Sequence, residues 1–157
     1  MMHMRKVMKT IGICSMAAIM MAGISGCGGK TGGAVSSGAK NAAKIGFTAA
    51  LTGGAAAYGK SEEVGVRLAV EEINKKGDFP IDLLVEDTKA VPADSMNATK
   101  KLIQEKVSMI IGPMTSNEAK AAGPIIQNAK VPSLEISVTG ENITDIGAGS
   151  FRNSVPE

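Results

Sequence analysis

The chain has 157 residues, with 17 Lys and Arg, 15 Asp and Glu, one histidine and two cysteines. Its small positive balance comes from Arg5, Lys6 and Lys9, because residues 1–26 hold these three bases and no acid. Without that segment the balance is 14 − 15 = −1. The charge therefore gives no basic patch of the kind that binds nucleic acid, and we expect no nucleic-acid partner.

The same subtraction removes most residues that carry enzyme chemistry. His3 and Cys14 lie within residues 1–26, so the rest of the chain has no histidine and only Cys27. This composition excludes, for residues 27–157, an intrachain disulfide, a zinc site of cysteine and histidine ligands, and a serine or cysteine nucleophile activated by histidine. We therefore expect no catalytic residue, no metal and no cofactor.

The N-terminal segment is typical of an export signal. The three bases precede an apolar run at 11–24, which is too short for a membrane-spanning helix and ends in small residues. The sequence Ile-Ser-Gly-Cys at 24–27 resembles the lipobox of bacterial lipoproteins. That resemblance predicts a signal peptide over residues 1–26 and a lipid on Cys27, which would anchor the protein on the extracytoplasmic face of the cell membrane. A signal cut near Gly26 without lipidation is the alternative.

A segment of low complexity separates the cysteine from the first apolar strand. Residues 28–43 are rich in glycine, serine and alanine and show no apolar period. Such a composition buries too little apolar surface to order itself. We expect residues 27–43 to be a flexible tether for a domain over 44–157, although a tail without any selected length would look the same.

From Lys44 onwards, predicted strands alternate with predicted helices. Short apolar runs predict strands at 44–51, 81–86, 108–111, 132–136 and 151–155. Helices are predicted at 61–76 with Ser61 as its N-cap, from Pro92 to about Lys106, and at 116–128 with Pro124 inside it. Apolar strands that alternate with helices predict an α/β fold, a doubly wound parallel sheet with helices on both faces.

Ligands bind such sheets beyond the carboxyl ends of the strands, which here are followed by loops at 52–58, 87–90, 113–116 and 137–139. Ser116 opens a helix whose free N–H groups favour a carboxylate, or it could simply cap that helix. Ser137 and Thr139 could offer hydroxyls to the same ligand or form an ordinary polar turn. Tyr58 could cover the ligand as an apolar lid or be a surface residue.

A nucleotide site fits the glycine-rich loop poorly. Residues 53–59 lack the G-x-G-x-x-G spacing, and no Gly-Lys-Ser or Gly-Lys-Thr ending follows in the register of a P-loop. Glu86 and Asp87 could bind a ribose but are better explained as a solvated strand end.

Several segments, in their order and spacing, resemble the Leu/Ile/Val-binding family, the substrate-binding lipoproteins of ABC transporters with the type 1 periplasmic binding fold. The segments are KIGF at 44–47, LTG at 51–53, YG at 58–59, GVRLAVEEIN at 65–74, VED at 85–87, IIGP at 110–113, AGPI at 122–125 and KVP at 130–132. The resemblance covers about residues 44–155. It implies a receptor that captures a small ligand, expected to be an amino acid, between two lobes and passes it to an ABC permease without catalysis.

The resemblance also implies roles for individual residues. Ser116 would bind the α-carboxylate of the ligand, Ser137 and Thr139 would supply backbone and hydroxyl contacts, and Tyr58 would pack on the ligand. The segment 135–137 departs from the small residues or proline that are frequent there in the family.

Length is the larger departure from the family. Family members have two lobes, whereas 157 − 26 = 131 residues follow the expected signal. We therefore expect an incomplete N-terminal lobe over 44–157, with the second lobe absent. We expect this incomplete lobe to bind amino acids weakly or not at all. A sensor domain of a signalling receptor on the same fold is the alternative function, and a doubly wound enzyme is a more distant one.

Overall fold

The computed structural model describes residues 42–77 and 79–157. The predicted signal peptide at 1–26, the lipidation of Cys27 and nearly all of the tether at 27–43 lie outside these residues. Within the described part of the chain, no helix combines the length and the apolar character needed to cross a membrane.

The described residues form five strands and three α-helices in alternation. The elements are β1 (Ala43–Ala49), α1 (Ala56–Lys76), β2 (Ile81–Asp87), α2 (Pro92–Gln104), β3 (Met109–Ile111), α3 (Ser116–Asn128), β4 (Ser133–Glu135) and β5 (Ser150–Arg152), with a 3₁₀ helix at Thr144–Ile146. The helix predicted at 116–128 has the same bounds in the structure. The fifth strand lies at 150–152, so it begins one residue before the predicted range of 151–155 and ends three residues before that range does.

The five strands form one parallel sheet in the order β2-β1-β3-β4-β5. The predicted α/β parallel sheet is therefore confirmed. After β1 the chain adds β2 on one side and then crosses to add β3 on the other side. The strand order reverses at β1 and β3, and this is where a crevice opens at the carboxyl ends of the strands in folds of this kind.

Helices cover both faces of the sheet. Two neighbouring residues of β1 show this, since successive residues of a strand point to opposite faces. Phe47 of β1 is fully buried in a cluster with Val66 of α1 and Met114. Its neighbour Gly46 points the other way, where a side chain would come within 2.7 Å of Leu102 on α2. A second cluster on that face joins Leu102 with Ile110 of β3 and Ile126 of α3.

Helix α1 differs from its prediction at its start. It begins at Ala56 and not at Ser61, whose hydroxyl donates to the carbonyl of Ala57 at 2.9 Å inside the helix. The predicted N-cap at Ser61 was therefore wrong. The cause is Gly59, which is buried because its missing side chain lets the first turn of α1 lie directly on the backbone of Ala50.

The apolar face of α1 is only partly buried. Val66 is buried, but Ala69 and Ile73, which lie one and two turns further along the same face, are exposed. They line an apolar groove of about 400 Å³ between α1 and the sheet, together with Ile111 and Ile136. Helix α1 ends at Gly77, which has φ 77°, the left-handed conformation in which glycine commonly ends a helix.

Candidate ligand-binding site

The loops that follow β3 and β4 meet at the carboxyl edge of the sheet. The hydroxyl of Ser137 donates to the carbonyl of Met114 at 2.9 Å. The N–H of Gly140 donates to Oγ of Ser116 at 3.1 Å. The structure thus brings Ser116 close to Ser137 and Thr139, although Ser116 lies more than 20 residues before them in the sequence.

A glycine allows the loop after β3 to pass close to the end of β1. Gly112 has φ 117°, and a side chain there would come within 2.6 Å of the carbonyl oxygen of Thr48. A residue with a Cβ would therefore be both strained and in collision with the backbone. This close approach places the start of α3 over the crevice between β1 and β3.

Thr115 caps helix α3, and Ser116 does not. The Thr115 side chain accepts from the N–H of Glu118 at 3.3 Å. The carboxylate of Glu118 accepts in return from the N–H of Thr115 at 3.0 Å and from its hydroxyl at 2.6 Å. This capping box leaves Ser116 in the first helical turn, so the interpretation of Ser116 as its own helix cap was wrong.

The three hydroxyls of the site offer different hydrogen-bonding groups to a ligand. Ser116 accepts a bond from Gly140, so its own proton is available. Ser137 donates to Met114, and Thr139 donates to Oε1 of Glu157 at 2.7 Å. Because a hydroxyl has one proton and two lone pairs, Ser137 and Thr139 can only accept from a ligand. The site therefore presents a donor at Ser116 and acceptors at the other two positions.

Backbone donors lie beside the hydroxyl of Ser116. The capping box uses the N–H groups of Thr115 and Glu118. Within residues 42–77 and 79–157, the N–H groups of Ser116 and Asn117 have no acceptor, as is normal for the first turn of a helix. Together with the helix dipole, these groups form a site that suits an anion.

Two acidic side chains, Glu62 beside Ser137 and Glu118 at the start of α3, interact with each other. Burial raises the pKa of Glu62, repulsion from the carboxylate of Glu118 raises it further, and a hydrogen bond from Ser137 partly offsets both effects. Glu118 is fully buried, and its Oε1 has no hydrogen-bond partner among the described residues. The single proton of Ser137 can point to Met114 or to Glu62, and in either case its oxygen is left as an acceptor.

Tyr58 lies in the first turn of α1 and not in the glycine-rich loop where the sequence predicted it. Its side chain is 75% exposed. Because Gly59 holds this turn against Ala50 at the end of β1, Tyr58 stands at the same edge of the sheet as the three hydroxyls. The structure shows no hydrogen bond from Tyr58 to Ser116, Ser137 or Thr139 in the described residues.

Residues 152–157 hold the loop after β4, which the sequence did not indicate. Nη1 of Arg152 donates to the carbonyl of Gly140 at 2.7 Å, and the hydroxyl of Ser154 donates to the carbonyl of Val138. The N–H of Glu157 donates to the carbonyl of Thr139 at 3.0 Å. Only the pairing of β4 with β5 brings these residues together, and no local pattern could have revealed them.

Asp87, at the end of β2, holds the first loop in place. Its carboxylate accepts from the N–H of Leu51 at 2.8 Å, from the hydroxyl of Thr52 at 2.5 Å and from the N–H of Lys89 at 2.9 Å. Burial alone would raise its pKa, but these hydrogen bonds outweigh burial and lower the pKa to about 2. Asp87 is therefore an anchor for the loop and not a solvated strand end.

No group of three or more metal-ligating side chains is close enough to share an ion in residues 42–77 and 79–157. The chemistry of the described edge is that of hydrogen bonding, with a donor cluster at the start of α3 and acceptors on the loop after β4.

Comparison with known proteins identifies relatives of this chain. The family model for periplasmic binding proteins matches residues 42–154. The Leu/Ile/Val-binding protein BraC3 of Rhizobium johnstonii is 31% identical over 106 residues, which are 66% of this chain and 29% of that protein.

Two solved structures have similar folds. The branched-chain amino acid transporter substrate binding protein LivJ from Streptococcus pneumoniae, in complex with isoleucine, is 34% identical with a TM-score of 0.71, over 73% of this chain and 34% of LivJ. A solute binding protein of an ABC transporter from Rhodopseudomonas palustris, in complex with 3,4-dihydroxybenzoic acid, is 28% identical with a TM-score of 0.68, over 74% of this chain and 32% of that one. This chain thus spans about a third of the length of the relatives it matches.

Proposed function

Because the chain belongs to the periplasmic binding protein family, we propose that it binds the polar end of an amino acid for an ABC transporter. The observation that carries this proposal is the division of hydrogen-bonding groups at the sheet edge. Ser116 offers a donor, whereas Ser137 and Thr139 offer acceptors. An α-amino acid carries an acceptor, the carboxylate, and a donor, the ammonium, on adjacent carbon atoms.

The carboxylate binds at the start of α3. It accepts from the hydroxyl of Ser116 and from the N–H groups of Ser116 and Asn117. Bonds from neutral donors to a charged acceptor are about twice as strong as bonds between neutral groups. The positive end of the helix dipole adds to them.

The ammonium binds on the side of the loop after β4. The oxygens of Ser137 and Thr139 accept from it. The carboxyl group of Glu62 accepts a hydrogen bond from Ser137, so an acidic side chain lies beside these oxygens. Tyr58 packs over the ligand from the first turn of α1, where its ring is exposed and available.

The relatives bind two kinds of carboxylic acid. LivJ was solved with isoleucine, and the Rhodopseudomonas palustris protein with 3,4-dihydroxybenzoic acid, which has no ammonium group. The acceptor hydroxyls of this chain favour the first kind, since the ammonium of an amino acid lies on the carbon next to the carboxylate, whereas the phenol donors of 3,4-dihydroxybenzoic acid lie across the ring from its carboxylate.

A lipid on Cys27 would place this receptor on the extracytoplasmic face of the cell membrane, beside the permease that receives the ligand. The apolar run at 11–24 and the Ile-Ser-Gly-Cys sequence at 24–27 support this location. A Cys27→Ser variant tests it. We expect the wild-type protein to take up labelled palmitate and to sediment with membranes, and the variant to do neither. A wild-type protein that remains in the soluble cell fraction without label would overturn the lipid anchor.

The test of ligand class is a titration of the purified chain, followed by ligand-observed NMR, with L-isoleucine and with 3,4-dihydroxybenzoate. This method detects dissociation constants in the millimolar range. It is suitable here because we expect weak binding from a chain that spans about a third of the length of its relatives. We expect L-isoleucine to bind, and Ser116→Ala to remove that binding. Asn117→Ala is the matched control, because it changes the next side chain and keeps the backbone N–H. Preference for the aromatic acid, or unchanged isoleucine binding in Ser116→Ala, would contradict the proposal.

A further inference from the structure

Thr139 and Glu157 are joined by two hydrogen bonds. The hydroxyl of Thr139 donates to Oε1 of Glu157 at 2.7 Å, and the N–H of Glu157 donates to the carbonyl of Thr139 at 3.0 Å. The flanking residues are also held, since Arg152 bonds to Gly140 and Ser154 bonds to Val138. The exposed side chain of Glu157 is therefore placed beside the ligand loop by its own backbone bond and by the bonds of its neighbours.

This contact determines which hydrogen bonds Thr139 can make. An ionised carboxylate only accepts hydrogen bonds, so Glu157 takes the one proton of the Thr139 hydroxyl. The oxygen of Thr139 then has only lone pairs to offer to a ligand. A threonine hydroxyl without this partner could rotate and donate to a carboxylate just as well as it accepts from an ammonium.

The charge of Glu157 acts in the same direction. A ligand carboxylate at Thr139 would meet an acceptor oxygen and, behind it, a negative charge. An ammonium would meet a matching acceptor and an attractive charge. Selectivity arises from the repulsive contact with the wrong group as well as from the attractive contact with the right one.

We propose that Glu157 is a positioning residue that acts through Thr139, and that it makes the site select ligands with an ammonium group over ligands that carry a carboxylate alone. This inference rests on the proposed function, because it assigns the ammonium of the bound amino acid to the Thr139 side of the site. It adds a selectivity element within the described residues, distinct from the carboxylate-binding groups at the start of α3.

The test compares two ligands that differ only in the ammonium, L-isoleucine and 3-methylpentanoate. Dissociation constants are measured by NMR titration of the wild-type chain and of Glu157→Gln. We expect the wild-type chain to prefer L-isoleucine. In Glu157→Gln that preference falls by about tenfold, the factor that corresponds to one hydrogen bond to a charged group. The loss comes from weaker isoleucine binding, with 3-methylpentanoate unchanged or tighter.

Three further variants separate positioning from a general loss of structure. Glu157→Asp keeps the charge and is expected to restore part of the preference. Glu141→Gln removes an exposed charge from the same loop and is expected to change nothing. Thr139→Val removes the hydroxyl, and adding Glu157→Gln to it is expected to have little further effect, because both variants remove the same interaction.

The results distinguish this inference from the proposed function. If L-isoleucine binds and Glu157→Gln keeps the wild-type preference, the role of Glu157 is wrong and the proposed function stands. The same conclusion follows if Glu157→Gln still lowers the preference for L-isoleucine by about tenfold in a chain that also carries Thr139→Val. If the wild-type chain binds neither compound, the proposed function fails and the selectivity falls with it.

Discussion

The N–H of Gly140 donates a hydrogen bond to Oγ of Ser116 at 3.1 Å, and this bond joins the loop after β4 to the first turn of α3. The contact has little room, since a side chain at position 140 would come within 2.7 Å of the same oxygen. Gly140 therefore both orients the Ser116 hydroxyl and limits how far the two loops can separate.

Gly140→Ala is expected to weaken ligand binding more than it weakens the fold. The added methyl group pushes the Ser116 side chain out of its position and breaks the bond that leaves its proton free for a ligand. We expect about a tenfold loss of L-isoleucine affinity, measured by NMR titration. Gly54→Ala is the control, because a side chain there meets nothing within 4 Å. Equal affinities for the two variants would contradict the role of Gly140.

Gly59→Ala is expected to destabilise the protein strongly. A side chain at this position would lie 2.0 Å from the carbonyl oxygen of Ala50, so the first turn of α1 must move away from β1. We expect the free energy of unfolding in urea to fall by about 2–3 kcal/mol.

The matched control is Gly65→Ala in the same helix, where a side chain meets nothing within 4 Å. Alanine has a higher helix propensity than glycine, so this variant is expected to be more stable by about 0.5–1 kcal/mol. If both variants change stability by the same amount, the contact between Gly59 and Ala50 does not explain the early start of α1.

The capping box of α3 predicts a graded response at Thr115. Thr115→Ala removes the N-cap and one donor to the buried carboxylate of Glu118, and we expect it to cost about 1–2 kcal/mol of unfolding free energy. Thr115→Ser keeps the hydroxyl and is expected to stay within about 0.5 kcal/mol of the wild type. Urea denaturation followed by circular dichroism measures both. A serine variant as unstable as the alanine variant would show that the methyl group, and not the cap, stabilises the helix.

Asp87 predicts a pH-dependent contribution to stability. The pKa of Asp87 is about 2 in the folded protein, against 3.8 for an ordinary aspartate, so folding favours the ionised form. Its contribution is fully present above pH 3.8 and is lost as the pH falls through about 2. Because solvent screens this site, we expect Asp87→Asn to cost only about 1 kcal/mol at neutral pH.

Urea unfolding of wild type and Asp87→Asn, from neutral pH down to the folded pKa of this group, measures that difference. It is expected to shrink in the acidic part of the range. Asp145→Asn, which changes an exposed aspartate in the 3₁₀ helix, serves as the control. A difference for Asp87→Asn that stays constant over the whole range would show that its charge does not stabilise the first loop.

The sequence predicted those helices and strands whose ends are marked by residues close to them in the chain. Helix α3 was predicted with its observed bounds because the turn Gly112-Pro113 precedes it and Pro132 follows it at the next strand. The order of the strands was not predictable from composition or period, since it depends on which loops cross the sheet. The start of α1 was missed because glycine is a poor helix former, whereas Gly59 is needed for a close contact with Ala50, the residue that follows β1.

The site was only partly predictable for the same reason. Ser116, Ser137 and Thr139 follow strand ends, and the rule for parallel sheets places such residues at one edge. The direction of each hydroxyl was not predictable, because it depends on partners distant in sequence, such as Gly140 for Ser116 and Glu157 for Thr139. These partners decide whether a hydroxyl donates to the ligand or accepts from it.

The most direct test of this account is an NMR titration of the isotopically labelled chain with L-isoleucine, in which the backbone amide signals report where the ligand binds. We predict shifts confined to the residues around Tyr58, to 115–117 and to 137–140, with the amides of Ser116 and Asn117 moving to lower field as they donate to the carboxylate. Shifts that cluster instead on the apolar groove beside α1, or no shift at any isoleucine concentration, would contradict the account.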